Sequence, residues 1–485
     1  MKKDRIASVI LICLVLSSAF LTVKIWFSEE LWPDGYNSFI NPQNILSHLP
    51  FVGDGAGESK AVAPLHETMF MPERIITTES ISKRSVYSGN NDQFVALNDF
   101  AKAMLRTLFT DETAEKTYIS AIDYCDTIRG NAFLVEYPVK IPIRILGHLC
   151  EINESGVFGD ISSVRRIIAV PGDKMCFIYI HDEDKNAFIK YTVDFDSSVL
   201  MAVIKEHALT GGNFLTAYEL GFYKRDDVDI EQTLTFSPFV IIDTSNSVHE
   251  TSVISGINPF DSLQNPSSLS LESISGIVSS FGYNYNTIRR YTDKDGTLVL
   301  IEDYSTIKLY PSGILEFTTT TPKKGINMQI NSGVTASPQN ILDTVDNITE
   351  ILDGIWKSMD MASIPDIRLS SDVTDNYTDY NLCFDYRFGE YPIILSYGDV
   401  SHAIELKIKD NLLVYLKVCI RGYAPTADLS ENIPTTDALD KFFEHPDIST
   451  DAENLLLGYI DYGTTGDIFT YWNVIDHEGK IFSLR

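Results

Sequence analysis

The sequence is poor in positive charge for its length. Its 485 residues include 38 lysines and arginines against 67 aspartates and glutamates, a formal net charge of −29. Binding to nucleic acid phosphates requires a basic surface, so this balance excludes a nucleic-acid partner. Hydrophobic residues nevertheless make up 44% of the chain. That proportion supports sizeable cores, and about 150 residues per domain indicates about three domains.

Cysteine is scarce, and no two cysteines stand at CxxC spacing. Cys13 lies within an apolar N-terminal segment, and an odd number remains outside it, so these cannot all pair with one another. They are Cys125, Cys150, Cys176, Cys383 and Cys419. We expect them to be reduced and buried as small hydrophobic residues, and we predict no metal site.

Local catalytic motifs are missing as well. The sequence contains no HExxH, GxSxG or Walker A motif, and no two of its nine histidines are three or four residues apart. Ser80 and Lys83 have the S-x-x-K spacing of some acyltransferases, but the accompanying SDN and KTG motifs are absent. We therefore predict no catalytic residue and no cofactor. An enzyme whose site is assembled from distant segments remains an alternative.

A long apolar run is present at the N-terminus. Residues Ile6 to Val23 carry no charge, and with Lys24 reaching toward the interface a helix could continue to Phe27. Such a helix spans roughly 30 Å, the thickness of one hydrocarbon core. Basic residues precede the run and acidic residues follow it, which places residues 1–5 in the cytoplasm and the bulk of the chain outside the cell membrane.

This apolar run has two other interpretations. Ser17 and Ala19 could serve a signal-peptide cleavage site, but the apolar stretch continues past them, which favours an uncleaved anchor. Lipoprotein processing at Cys13 is disfavoured by the large Ile12 before it. The prediction is a single transmembrane helix over residues 6–27.

One face of this predicted helix carries small and hydroxylated residues. Spacings of three and four place five residues on it: Ser8, Leu11, Val15, Ser18 and Thr22. Small and hydroxylated residues let helices approach closely and hydrogen-bond in lipid. We predict that this face, termed the 8–22 stripe, contacts a partner helix, the alternative being a helix surrounded by lipid.

The sequence that follows the predicted transmembrane helix indicates an α+β protein with antiparallel sheets. Residues 28–70, which include a Gly-rich run and several prolines, indicate a stalk, and three α+β units follow at 71–207, 208–330 and 335–485. The last two units share a helix followed by an antiparallel meander.

The sequence pattern predicts the first and last residues of several helices and strands. The helices are Asp92–Phe109, Asp196–His207, Ser270–Phe281, Asn340–Met359 and Thr436–Phe443. The strands are Arg74–Thr78, Val164–Val170, Met175–Ile180, Ala187–Val193, Asn286–Tyr291, Thr297–Asp303, Ile307–Tyr310, Ile314–Thr318, Tyr380–Arg387, Ala403–Lys409, Leu412–Ile420, Leu455–Tyr462 and Ile468–Ile475. Tight turns are expected at Asp295-Gly296, Asp410-Asn411 and Glu478-Gly479.

Taken together, these segments resemble the YycH/YycI (WalH/WalI) family. The resemblance rests on the anchor MKKDRIASVILICLVLSSAFLTVKIWF, on PERIIT, on DGTLVLIEDYSTIKLYPSGILEFT and on FDYRFGEYPIILSYGDVSHAIELKIKDNLLVYLKVCIRGY. A tryptophan-containing final hairpin adds to it. The resemblance covers nearly the whole chain, is closer to YycH than to YycI in length, and is weaker over 71–200.

This resemblance implies a function. Members of the family are membrane-anchored regulators of a cell-wall two-component system, and they associate with a YycI-like membrane protein and a WalK-like sensor histidine kinase. It also implies that the last two units share a YycI-like architecture and that the 8–22 stripe contacts the kinase. A PepSY-like modulator of an extracytoplasmic protease remains a further alternative, because helix-plus-sheet units suit that family too.

Overall fold

The computed structural model of the protein describes most of the chain after residue 64. The described ranges are 65–89, 91–208, 213–223, 234–260, 266–328, 336–361, 364–445, 448, 450–476 and 479–484. The predicted transmembrane helix at 6–27 and its 8–22 stripe lie outside these ranges. No helix inside them has both the length and the apolar character needed to cross a membrane.

An antiparallel sheet dominates the first part of the fold. Its strands are β1 (Arg74–Ser80), β2 (Lys83–Ser88), β3 (Glu115–Tyr118), β4 (Ala132–Pro142), β5 (Ser163–Pro171), β6 (Cys176–Asp182) and β7 (Ala187–Val193). Among the described residues they lie in the order β2-β1-β4-β5-β6-β7-β3. The period-two burial of β6 and β7 matches the alternation in their sequences.

Helices accompany this first sheet. They are α1 (Leu65–Met69), α2 (Asp92–Thr110), α3 (Ala121–Asp126), α4 (Ile143–Leu149), α5 (Val157–Asp160) and α6 (Ser197–His207). Asn91 caps α2 by accepting a hydrogen bond from the Phe94 backbone, and the apolar face of α2 is buried. Helix α1 falls within the segment expected to be a stalk, and its Met69 is buried. Helical structure is therefore present before residue 71.

Short elements follow the first sheet: β8 (Phe214–Thr216), α7 (Ala217–Leu220), β9 (Leu234–Phe236), β10 (Ile241–Asp243) and β11 (His249–Ile257). Strands β8 and β10 pair with each other, whereas β11 lies between β22 (Gly422–Asn432) and β24 (Gly466–Ile468). Strand β11 thus joins the middle of the sequence to its last part.

A larger sheet occupies the rest of the fold. The remaining strands of the chain are β12 (Arg289–Thr292), β13 (Leu298–Glu302), β14 (Ser305–Leu309), β15 (Ile314–Thr319), β16 (Ile326–Asn327), β17 (Asp366–Leu369), β18 (Tyr380–Phe388), β19 (Tyr391–Leu395), β20 (Ile404–Lys409), β21 (Leu412–Cys419), β23 (Thr450–Asp461), β25 (Thr470–Asp476) and β26 (Ile481–Leu484). Within the described ranges, these strands and β9 make up the large sheet. Most of its pairings are antiparallel, but β23 is parallel to both β19 and β9.

The predicted α+β class with mainly antiparallel sheets is confirmed. The division of the chain at 207 and 330 stays a prediction, although β15 and β21, from opposite sides of residue 330, are hydrogen-bonded neighbours. One predicted strand begins late: residues 285–287 form a short 3-10 helix before β12 starts at Arg289. The predicted strand Ile468–Ile475 is interrupted at Phe469, between β24 and β25.

Two helices, α8 (Leu271–Ser280) and α9 (Pro338–Ser358), cross at a pair of glycines. A Cβ atom on Gly276 would overlap the Ser358 hydroxyl, and one on Gly354 would overlap the Ser280 hydroxyl. Each serine hydroxyl donates to the carbonyl of the glycine four residues earlier on its own helix. The crossing is therefore packed backbone to backbone, with no room for a larger side chain.

We expect Gly354→Leu to lower the free energy of unfolding by about 1–3 kcal/mol, because overpacking forces the two helices apart. Urea denaturation followed by circular dichroism measures this change. Gly159→Leu is the control, since an added Cβ there meets nothing within 4 Å. Equal effects of the two substitutions would show that the α8–α9 crossing is not tightly packed.

Candidate functional site

A row of charged side chains crosses one face of the first sheet. Arg74 of β1 lies opposite Glu136 of β4, which in turn lies opposite Arg166 of β5. The Glu136 carboxylate accepts hydrogen bonds from Nε of both arginines, and the bond from Arg166 to its Oε1 is 2.6 Å long. Residues directly opposite one another on neighbouring antiparallel strands project from the same face of the sheet. This register therefore brings the three side chains together.

The charged row is buried. Glu136 is 4% exposed and Arg166 is 8% exposed. Burial alone would raise the pKa of Glu136, but the positive charges of Arg74 and Arg166 outweigh it and lower the pKa to about 2. The same carboxylate and Glu453 raise the pKa of Arg166 despite its burial. Glu136 and Arg166 are therefore both ionised at neutral pH.

The row extends to the large sheet through Glu453 of β23. Its carboxylate pairs with Arg165 and lies 3.5 Å from Nη2 of Arg166. A second link joins Arg387 of β18 to Glu73, just before β1, through hydrogen bonds of 2.7 and 2.6 Å. These ion pairs hold the first sheet against the large one.

A cavity of about 420 Å³ opens beside this row. Its lining residues come from α3, from β5 to β7, from the loop after β9 and from β23: Ala121, Tyr124, Cys125, Arg165, Arg166, His181, Glu183, Phe188, Ser237, Pro238, Phe239 and Glu453. Cavities that hold small ligands in proteins are of this size, and they combine apolar walls with a few polar groups. We call this space the junction cavity.

One wall of the junction cavity is aromatic. The rings of His181 and Phe188 are stacked, with centroids 4.1 Å apart and planes 8° from parallel. Tyr124 packs against Phe188 and Phe239 at 5.2 and 5.4 Å. The Arg166 guanidinium lies 5.5 Å from the Phe239 ring, an arrangement in which cation and ring attract. The lining of the cavity thus includes both aromatic rings and the guanidinium groups of Arg165 and Arg166.

The fold of this chain is similar to that of a solved structure. No family model matches this sequence, and no curated protein matches it. Among solved structures, the crystal structure of YycH from Bacillus subtilis matches with a TM-score of 0.56 and 12% sequence identity. The match covers 86% of this chain and 96% of that one. The chain has a YycH-like fold.

In the junction cavity of this YycH-like fold, Cys125 and His181 do not form a nucleophile–base pair. Desolvation raises the pKa of Cys125 to about 12, which is opposite to the shift that activates a thiol. Desolvation also lowers the pKa of His181, and its ring is stacked on Phe188 instead of hydrogen-bonded to Cys125. The geometry of these two residues therefore does not support thiol catalysis in the junction cavity.

His402 lies near a serine and an aspartate, but the three do not form a catalytic triad. Its Nδ1 is 3.1 Å from both Ser370 Oγ and Asp385 Oδ2. In a triad the serine and the aspartate contact opposite nitrogens of the ring, so that one nitrogen accepts the serine proton while the aspartate holds the other. Here both partners share one nitrogen, as expected for a structural histidine.

The S-x-x-K pair also has a structural explanation. Ser80 and Lys83 pair across the turn between β1 and β2, and Lys83 donates to Glu79 in an exposed ion pair. Within the described ranges no three acidic, histidine or cysteine side chains gather closely enough to hold a metal ion. The five cysteines outside the N-terminal run are unpaired, and all but Cys383 are buried.

Sequence reasoning missed the residues of the charged row. The signal was present in VRRIIAV, where two arginines interrupt an otherwise apolar strand. A buried strand tolerates such charges when oppositely charged side chains pair with them. Those partners, Glu136 and Glu453, are 30 and 287 residues from Arg166 in sequence, so the pairing depends on the tertiary fold.

Proposed function

We propose that this protein is a membrane-anchored regulator of a WalK-like sensor histidine kinase, without enzymatic activity of its own. The supporting observation is the YycH-like fold, which extends over 86% of the chain. The apolar run at 6–27 supports an anchor with a cytoplasmic N-terminus and an extracytoplasmic body. A YycI-like membrane protein is the second proposed partner.

The proposed mechanism is a shift between two kinase conformations. A regulator that binds one conformation more tightly than the other changes the balance of autokinase and phosphatase activity by its difference in affinity. In this proposal the 8–22 stripe contacts the kinase helices within the membrane, and the body binds partners outside it. The buried ion pairs that join the two sheets would let the body act as one unit.

A photocrosslinking experiment tests the membrane contact. A photoreactive amino acid is placed at Val15 or Ser18 of the full chain, and the products are identified by mass spectrometry from cells that express the kinase. We expect both positions to capture the kinase, because in a helix they belong to the 8–22 stripe.

The control positions are Leu16 and Phe20, which fall on the opposite side of the same helix. We expect them to give at least about tenfold less kinase product, in line with the specificity of a packed helix pair. Equal capture from both sides, or capture of lipid alone at Val15 and Ser18, would contradict the proposed contact.

A further inference from the structure

The charged row borders the junction cavity, and Arg165, Arg166 and Glu453 line it. Three arginines (Arg74, Arg165 and Arg166) face two carboxylates, those of Glu136 and Glu453. Glu136 is shared by Arg74 and Arg166, and Glu453 is shared by Arg165 and Arg166, so these groups carry one more positive than negative charge before Glu183 is counted. The Nε–H of Arg165 is buried and has no hydrogen-bond partner among the described residues.

A negative charge without a direct partner lies elsewhere on the cavity lining. Glu183 follows the end of β6, and its side chain forms no ion pair or hydrogen bond with the described part of the chain. Desolvation raises its pKa, although Arg166 and Arg165 act in the opposite direction. A cation at this position would stabilise the ionised carboxylate.

The aromatic side chains of Tyr124, Phe188 and Phe239 line the same cavity as Arg165 and Glu183. A ligand that complements the whole cavity therefore carries a carboxylate, an ammonium group and an apolar body, and it fits within about 420 Å³. Carboxylates bind guanidinium groups with charge-assisted hydrogen bonds, and ring systems bind aromatic walls by stacking.

We propose that the junction cavity binds an aromatic or apolar α-amino acid, with its carboxylate toward Arg165, its ammonium toward Glu183 and its side chain on the aromatic wall. This ligand goes beyond the regulatory role proposed above and would give the regulator a small molecule to respond to. Its walls come from both sheets, so an occupied cavity would also strengthen the contact between them.

Isothermal titration calorimetry of the full chain in detergent micelles tests the proposal, with empty micelles as the blank. The probes are L-phenylalanine, 2-phenylethylamine (without the carboxylate), 3-phenylpropionate (without the ammonium group) and L-alanine (without the ring). We expect L-phenylalanine to bind, and each of the other three to bind at least about tenfold more weakly, equivalent to about 1.4 kcal/mol for each lost group.

The variant Glu183→Gln assigns the ammonium contact. We expect its affinity for L-phenylalanine to fall to that of 3-phenylpropionate, while its affinity for 3-phenylpropionate is retained, which shows that the cavity is intact. Glu154→Gln is the matched control, because Glu154 lines a separate cleft, and it should leave all four affinities unchanged.

Three results would overturn the proposal: no heat from L-phenylalanine up to about 10 mM, equal binding of the four probes, or unchanged selectivity in Glu183→Gln. The measurement contains no kinase. A failure here therefore leaves the proposed regulation untouched, and a failure of the kinase experiments leaves this binding result standing.

Discussion

Asp461→Ala should lower the free energy of unfolding by about 3–5 kcal/mol, because it leaves the buried Arg421 without its counter-charge. Both side chains of this pair are 0% exposed. Two parallel hydrogen bonds of 2.9 and 2.8 Å join the guanidinium to the carboxylate. Arg421 also donates to the Thr464 carbonyl, and the Tyr423 hydroxyl donates to Asp461.

The large effect follows from the position of the pair. Arg421 immediately precedes β22, and Asp461 is the last residue of β23, so the pair joins the sheet containing β11 to the large sheet. Gly256 of β11 makes room for it, since a Cβ there would lie 2.8 Å from Arg421 Nη2. Losing the carboxylate therefore weakens the attachment of one sheet to the other as well as the pair itself.

Guanidinium denaturation of the full chain, monitored by tryptophan fluorescence, measures this effect. The control is Asp353→Ala, which removes an exposed ion pair with Lys357 and should change stability by less than about 0.5 kcal/mol. The double variant Arg421→Met/Asp461→Leu should recover much of the loss, because it removes both buried charges. If Asp461→Ala behaved like Asp353→Ala, the pair would contribute nothing to the fold.

The second large effect concerns acid stability and Glu136. Its folded pKa of about 2 lies below the ordinary value of 4.5 for a glutamate. A depressed acidic pKa contributes stability that is present above the unfolded pKa and is lost as the pH falls through the folded one. We therefore expect Glu136 to contribute on the order of 3 kcal/mol at pH 7, lost between about pH 5 and pH 2.

Glu136→Gln should remove this contribution and flatten the acid limb of the stability profile, which is measured by urea denaturation at a series of pH values. The matched control is Glu183→Gln, since Glu183 lines the neighbouring junction cavity. Desolvation raises the pKa of Glu183, so this change should cause no loss of stability at neutral pH. If the free energy of unfolding fell with decreasing pH in the same way in Glu136→Gln as in the unmodified protein, the charged row would not stabilise the fold.

Much of the local structure could be predicted from the sequence because local patterns determine it. Helices α2 and α9 follow apolar residues at helical spacing, and β7 has the predicted bounds. The turn at Asp410-Asn411 has positive φ at both residues, 50° and 60°, as its two-residue hairpin requires. At Asp295-Gly296 the positive φ is confined to Gly296.

The long-range pairings could not be predicted in this way. Strands β11 and β22 were missed, and β22 contains Pro425, which locally favours a turn and is tolerated in a strand at a sheet edge. The parallel pairing of β19 with β23 joins segments more than 60 residues apart, so no local pattern carries its register. The same reason explains why the junction cavity escaped prediction, since its walls come from segments far apart in sequence.

Reconstitution of the kinase provides the most direct test of the proposed regulation. A WalK-like kinase from the same cell is placed in proteoliposomes with the full chain, or with residues 60–485 alone, and its autophosphorylation rate is measured. The proposal predicts a change of at least about fivefold with the full chain, a coupling of about 1 kcal/mol, and a smaller change without residues 1–59. An autophosphorylation rate that is the same with and without the full chain would contradict it.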